Sequence, residues 1–183
     1  IVTGLAVPTN VGRAPADEAV APTSAAGRLF DAFAALVGVS PRRVSYEGQA
    51  AVRLEALART RPVAAFDYPV EFRCEGRMLT VDWRHLFADG FEPGAAAAYD
   101  FHRAVVAAAR QMVLHGLKLY PGLPVLLTGG VFQNRLLTWM LRMELERLRI
   151  VSLIHSTIPP NDGGISVGQT LFSGLNFRID SVD

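Results

Sequence analysis

An α/β fold, with a mixed sheet flanked by helices, is what this 183-residue sequence predicts, and three features predict it. The last third alternates short apolar runs with amphipathic stretches in the order strand, helix, strand, helix. That order implies parallel pairing through a right-handed crossover. A segment around Cys74 alternates apolar and polar residues on both sides of Glu75-Gly76, which reads as an antiparallel hairpin. Upstream stretches carry apolar residues at helical spacing.

The elements follow in chain order. Residues 1–22 are rich in Ala, Pro, Thr and Gly without a period and are expected to be an extended segment, with a short strand at 1–7. Thr23 and Ser24 are N-cap candidates. Ala26, Leu29, Phe30, Phe33, Leu36 and Val37 then mark a helix that Gly38 can end. A second helix is expected over 48–59 with Ala51, Leu54 and Leu57 inward, and Pro62 closes it. Val70, Phe72 and Cys74, then Leu79, Val81 and Trp83, form the hairpin. The longest helix runs over 95–120 with only Gly116 inside it, and its broad apolar surface predicts burial on most sides. A strand at 125–127, a helix at 136–148, a strand at 150–155, a loop and a helix at 164–173 complete the chain. Residues 23–175 are read as one lobe and 176–183 as a tail.

Bulk properties narrow the function. Half of the residues are hydrophobic, so a substantial core is expected. The formal charge of +1, with no basic run interleaved with aromatics, argues against a nucleic-acid partner. No apolar run approaches the roughly 20 residues that a spanning helix needs. A lone cysteine, Cys74, excludes an internal disulfide and favours a reducing cytoplasm. Gly4, Pro8 and Gly12 interrupt the opening stretch, which does not read as a signal peptide. With no initiator Met, the chain is expected to be a piece of something longer.

Two glycine-rich turns carry the chemistry. Thr128-Gly129-Gly130 follows a strand, and Pro159-Pro160-Asn161-Asp162-Gly163-Gly164 opens the last helix. Without a Cβ, Gly129 and Gly130 let a ligand approach backbone N–H groups, and a following helix N-terminus favours an anion. An ordinary strand-to-helix turn would use the same residues. Asn134 can bond a ribose or phosphate, or simply cap a helix. Asp162 can ligate a hard cation or cap the helix at Gly164. Asp31 lies on the polar side of its helix, and Glu47-Gly48 precedes another, where both acids are also ordinary surface residues. His85, His102, His115 and His155 contain no pair three or four apart, so no helical metal pair exists, and His102 is expected to be packed. Cys74 is expected to be a small core residue. Walker A and G-x-G-x-x-G patterns are absent.

Four segments in order, residues 23–38, 44–51, 127–134 and 160–165, resemble the C-terminal carbamoyltransferase domain of the HypF hydrogenase-maturation family, and Phe101-His102 fits it too. The resemblance spans about residues 23–172. It implies an actin-like ATPase (ribonuclease H-like) lobe facing a nucleotide cleft. It also implies an activity: carbamoyl phosphate and ATP give carbamoyl adenylate, and the carbamoyl group passes to the C-terminal cysteine of a HypE-type acceptor protein. By that resemblance, Asp31, Glu47, Gly48, Gly129, Gly130 and Asn134 would line the adenylate. Asp162 would be the catalytic residue, one ligand of a divalent metal such as iron, zinc or magnesium. Thr128 stands where the family commonly has Ser. The family's H-x-x-x-H metal pair, N-terminal to the segment matching Thr23, has no counterpart, so the chain is expected to hold the nucleotide-facing half of a site.

Two other readings stand beside this one. A small-molecule or tRNA carbamoyltransferase shares the architecture, but residues 46–49 and Phe132-Gln133 favour the HypF type. Alternatively, the chain is a lobe without activity of its own that binds nucleotide or a HypE-type partner. A lobe separated from its mate is also expected to expose an apolar face and to form a homodimer.

Overall fold

The structure, a computed structural model, describes residues 25–61, 68–75, 78–87 and 91–179. The expected extended segment 1–22, its short strand and the caps Thr23 and Ser24 lie outside these residues. So does the side chain of Cys74.

Helix α1 (Ala26–Leu36) buries Leu29, Phe30, Phe33 and Ala34, one stripe of the predicted period. Ala25 takes the N-cap position without a side-chain bond. Gly38, at φ +77°, ends the helix by turning the chain so that the Val39 N–H donates to the Ala34 carbonyl at 2.9 Å. Helix α2 (Gln49–Ala58) starts after Gly48, which has φ +76°. Its buried face is Ala50, Leu54 and Ala58, while Ala51 and Leu57 are only partly covered. The expected inward face is therefore rotated. Alanines one turn either side of Leu54 let α2 approach α1 and α3 closely, which decides the phase.

Strands β1 (Glu71–Glu75) and β2 (Met78–Asp82) form the predicted antiparallel hairpin, with Glu71 opposite Asp82 and Glu75 opposite Met78. At its end Asp82 accepts from the Arg84 guanidinium and from Arg73 at 2.9 Å. The Arg84 hydrogen bond holds the Asp82 carboxyl far below the usual carboxylate range.

Helix α3 (Ala95–Leu119) is the central element and packs against α1 and α2. Its first half is enclosed as expected, from Ala98 through Ala108, and its second half is half-exposed. Phe101 stacks on Phe33 at 4.3 Å between centroids and meets Phe30 edge-on at 4.8 Å. These geometries suit the ring quadrupoles and tie α1 to α3.

Strand β3 (Val125–Leu127) pairs in parallel with β4 (Ser152–Ile154), Leu127 opposite Ile154. Between them lie a 3₁₀ turn (Gly130–Gln133) and helix α4 (Arg135–Arg147). Leu137, Met140, Leu141 and Leu145 of α4 are buried, and the nearly buried Glu144 accepts from Arg110 of α3 at 3.1 Å. Helix α5 (Ile165–Ile179) closes the described chain and runs into the segment expected to be a tail.

Among the described residues the strands do not join into one mixed sheet. The described strands make two separate two-stranded sheets, one antiparallel and one parallel. The hairpin satisfies itself locally, and the parallel pair forms across α4. Much of that parallel region is bare: Val151 is 66% exposed, Leu126 56% and Leu153 48%. Along α5, Leu171, Phe172 and Leu175 are also exposed.

Candidate functional site

Both glycine turns leave the C-terminal ends of the parallel strands, the edge at which open α/β sheets bind ligands. Thr128 and His155 each follow the last paired residue of a strand. Their side chains meet, His155 Nε2 to Thr128 Oγ1, at 2.9 Å. The turns are joined by backbone as well: the Gly129 N–H donates to the Pro160 carbonyl at 2.9 Å.

Gly129 has φ +105° and ψ 154°, a region that essentially only glycine occupies. In the second turn Asn161 accepts from the Gly163 N–H at 3.1 Å, and its carbonyl accepts from the Gly164 N–H at 2.9 Å. A Cβ on Gly164 would lie 2.7 Å from the Pro159 carbonyl oxygen, so this turn closes only around a glycine. Asp162 is exposed at the start of a short 3₁₀ turn (Asp162–Gly164).

The structure divides the expected ligand contacts. Gly129 commits its N–H to Pro160 and is not a free donor, whereas no acceptor among the described residues takes the Gly130 N–H. The N-terminus of α4 already has its anion. Glu55 of α2 accepts from the Leu136 N–H at 3.1 Å, and Asn134 Oδ1 accepts from the Leu137 N–H at 2.9 Å. A 3₁₀ turn also separates the glycines from this helix start.

Asn134 is buried, and its other end donates from Nδ2 to His102 Nε2 at 3.0 Å. His102 Nδ1 in turn donates to the Ala98 carbonyl at 2.7 Å. The chain of donors fixes a neutral imidazole protonated on Nδ1. Burial pushes its pKa down to about 4. His102 is thus packed, as expected, and positions the cap of α4.

Asp31 lies on α1, whose neighbour is the 3₁₀ turn after Gly130, and it pairs with Arg28 at 3.3 Å. Glu47 and Gly48 are exposed just before α2. Among the described residues no group of three His, Cys, Asp or Glu side chains could hold a metal ion. Asp162 is not part of any such group. No described helix is long and apolar enough to cross a membrane.

Two features escape a reading of the sequence. Glu55 looks like an ordinary helix-surface acid. The Thr128–His155 contact becomes visible only once β3 and β4 are placed in register, because 27 residues separate the pair.

The family described as "Carbamoyltransferase, Kae1-like Domain, second subdomain" matches residues 11–169. The chain belongs to the HypF carbamoyltransferase family. It is 41% identical over 162 residues to the carbamoyltransferase HypF of Rhodobacter capsulatus, covering 85% of this chain and 20% of that protein. The HypF of Rhizobium leguminosarum bv. viciae is 37% identical, over 82% of this chain and 20% of its own length. A crystal structure of full-length HypF in the phosphate- and nucleotide-bound form superposes with a TM-score of 0.68 at 36% identity, covering 81% of this chain and 20% of that one. The chain therefore spans about a fifth of the length of these relatives.

Proposed function

We propose that this chain is the nucleotide-facing lobe of a HypF-type carbamoyltransferase with an actin-like fold, acting in the cytoplasm. Carbamoyl adenylate, made from carbamoyl phosphate and ATP, sits against the clasped glycine turns, and its carbamoyl group passes to the C-terminal cysteine thiolate of a HypE-type acceptor. The thiolate attacks the carbamoyl carbon, a carbon–sulfur bond forms, and AMP leaves with the electron pair of the broken carbon–oxygen bond.

The observation that carries this reading is the Gly129–Pro160 clasp, which brings two glycine turns together at the strand ends. Here the Gly130 N–H and the Thr128 hydroxyl are donors for phosphate oxygens, and Asp31, Glu47 and Gly48 approach the nucleoside from α1 and α2. Asn134 acts on the ligand through the turn it anchors. Asp162 supplies one ligand to a divalent metal whose remaining ligands lie outside this chain. The family match favours this reading over a small-molecule carbamoyltransferase.

The test is carbamoyl transfer to an acceptor thiol by the native polypeptide that carries this chain, compared with Asp162→Ala and Gly130→Pro, the latter lacking the N–H. Both variants should lose transfer by about a hundredfold or more while keeping their melting transition, as loss of one oriented donor does elsewhere. Full activity in both would overturn the assignment. Nucleotide binding with no transfer in the parent would leave the inactive-lobe reading standing instead.

A further inference from the structure

Away from the glycine turns, the C-terminal end of α2 and the first turn of α4 enclose a pocket of about 360 Å³. Its walls are Arg59, Arg61, Tyr99, Arg135, Leu136 and Trp139. Three arginines line one concavity. The acid beside them, Glu55, already accepts from the Leu136 N–H and pairs with Arg59 at 3.8 Å. Arg61 and Arg135 have no acidic partner among the described residues. Three fixed positive charges against one carboxylate leave the pocket with a surplus of two.

We propose that this pocket binds a phosphate monoester. A phosphate monoester carries about −1.5 to −2 charges at neutral pH, which matches the surplus, whereas a carboxylate would neutralise half of it. The guanidinium fork is suited to pairs of phosphate oxygens, and three forks surround a tetrahedral group better than a planar one. The apolar part of the wall sets the organic portion. Leu136 is buried, and Trp139 is 43% exposed, so a flat ring carried on the phosphate has a surface to lie against. The site is independent of the proposed carbamoyl transfer, because none of its six lining residues belongs to either glycine turn.

The experiment is calorimetric titration of the native polypeptide that carries this chain, at constant ionic strength. Inorganic phosphate, phenyl phosphate and acetate are the probes, and parent protein is compared with the Arg61→Gln/Arg135→Gln variant. Because both arginines are on the surface, the variant should keep the parent's melting transition. The difference between the two titrations isolates this pocket from any phosphate site at the glycine turns. We expect one phosphate site per chain to weaken by at least about tenfold in the variant, as loss of charge-assisted bonds does. Phenyl phosphate should bind more tightly than inorganic phosphate, and Trp139→Ala should remove that advantage while leaving inorganic phosphate unchanged. Identical titrations of parent and variant, or acetate binding as tightly as phosphate, would overturn the proposal.

Discussion

Asn134 and His102, 32 residues apart, share a buried hydrogen bond of 3.0 Å that couples the cap of α4 to the middle of α3. The asparagine is satisfied at both ends, by Leu137 N–H and by the imidazole. Each partner therefore fixes the other's orientation, and the turn that leads from Gly130 into α4 is anchored in the core.

Acid should weaken this structure through His102. Its folded-state pKa of about 4 lies below the usual histidine value. Between pH 6.5 and 4 the unfolded chain therefore binds a proton that the folded one does not, and stability falls as pH drops through that window. The full loss is on the order of 3 kcal/mol. Denaturant titrations across this range check it, and His102→Gln should flatten the dependence. A profile unchanged by the substitution would refute the assignment.

Truncating the partner is expected to be costly. Asn134→Ala removes a cap worth about 1 kcal/mol and orphans His102 Nε2, adding about 1–3 kcal/mol. Asn134→Asp keeps the cap but sets a carboxylate against Nε2, so the His102 pKa should rise. Chemical denaturation reads the first effect and an NMR titration of the imidazole reads the second.

Gly164→Ala should disturb the second turn. The added methyl would lie against the Pro159 carbonyl, and backbone has to shift at a cost of about 1–3 kcal/mol. Gly168→Ala, where a Cβ meets nothing within 4 Å, serves as the control and should be neutral or stabilising. Equal melting temperatures for both variants would contradict this account.

Self-association is expected of the chain in isolation. Val151, Leu153, Leu171, Phe172 and Leu175 place apolar surface on β4, its approach and α5. Sedimentation should show an average mass that rises with concentration, and Phe172→Glu with Leu175→Lys should suppress the rise. A monomer at every concentration would refute it.

Periodicity and turn chemistry made most elements legible. Phe30 and Phe33 announced α1, alternation about Glu75 announced the hairpin, and Gly129-Gly130 marked the end of β3. The phase of α2 was not legible, because its apolar residues permit two inward faces and tertiary approach to α3 chooses between them. The candidate site was legible as two glycine turns, but not in how their backbone donors are used. Glu55 reaches Leu136 across 81 residues, and no local pattern signals such a bond. Asn134 admitted a ligand-binding reading and a capping reading from sequence, and the latter geometry is present.

The Gly129–Pro160 bond closes a ring in which the covalent chain from 129 to 160, with α4 and β4 in it, is shut by one amide proton. Neither turn can widen independently of the other while that proton is shared. Its exchange with solvent deuterium therefore times the parting of the two loops. A ligand that bridges them should slow this exchange before altering any other amide of the ring.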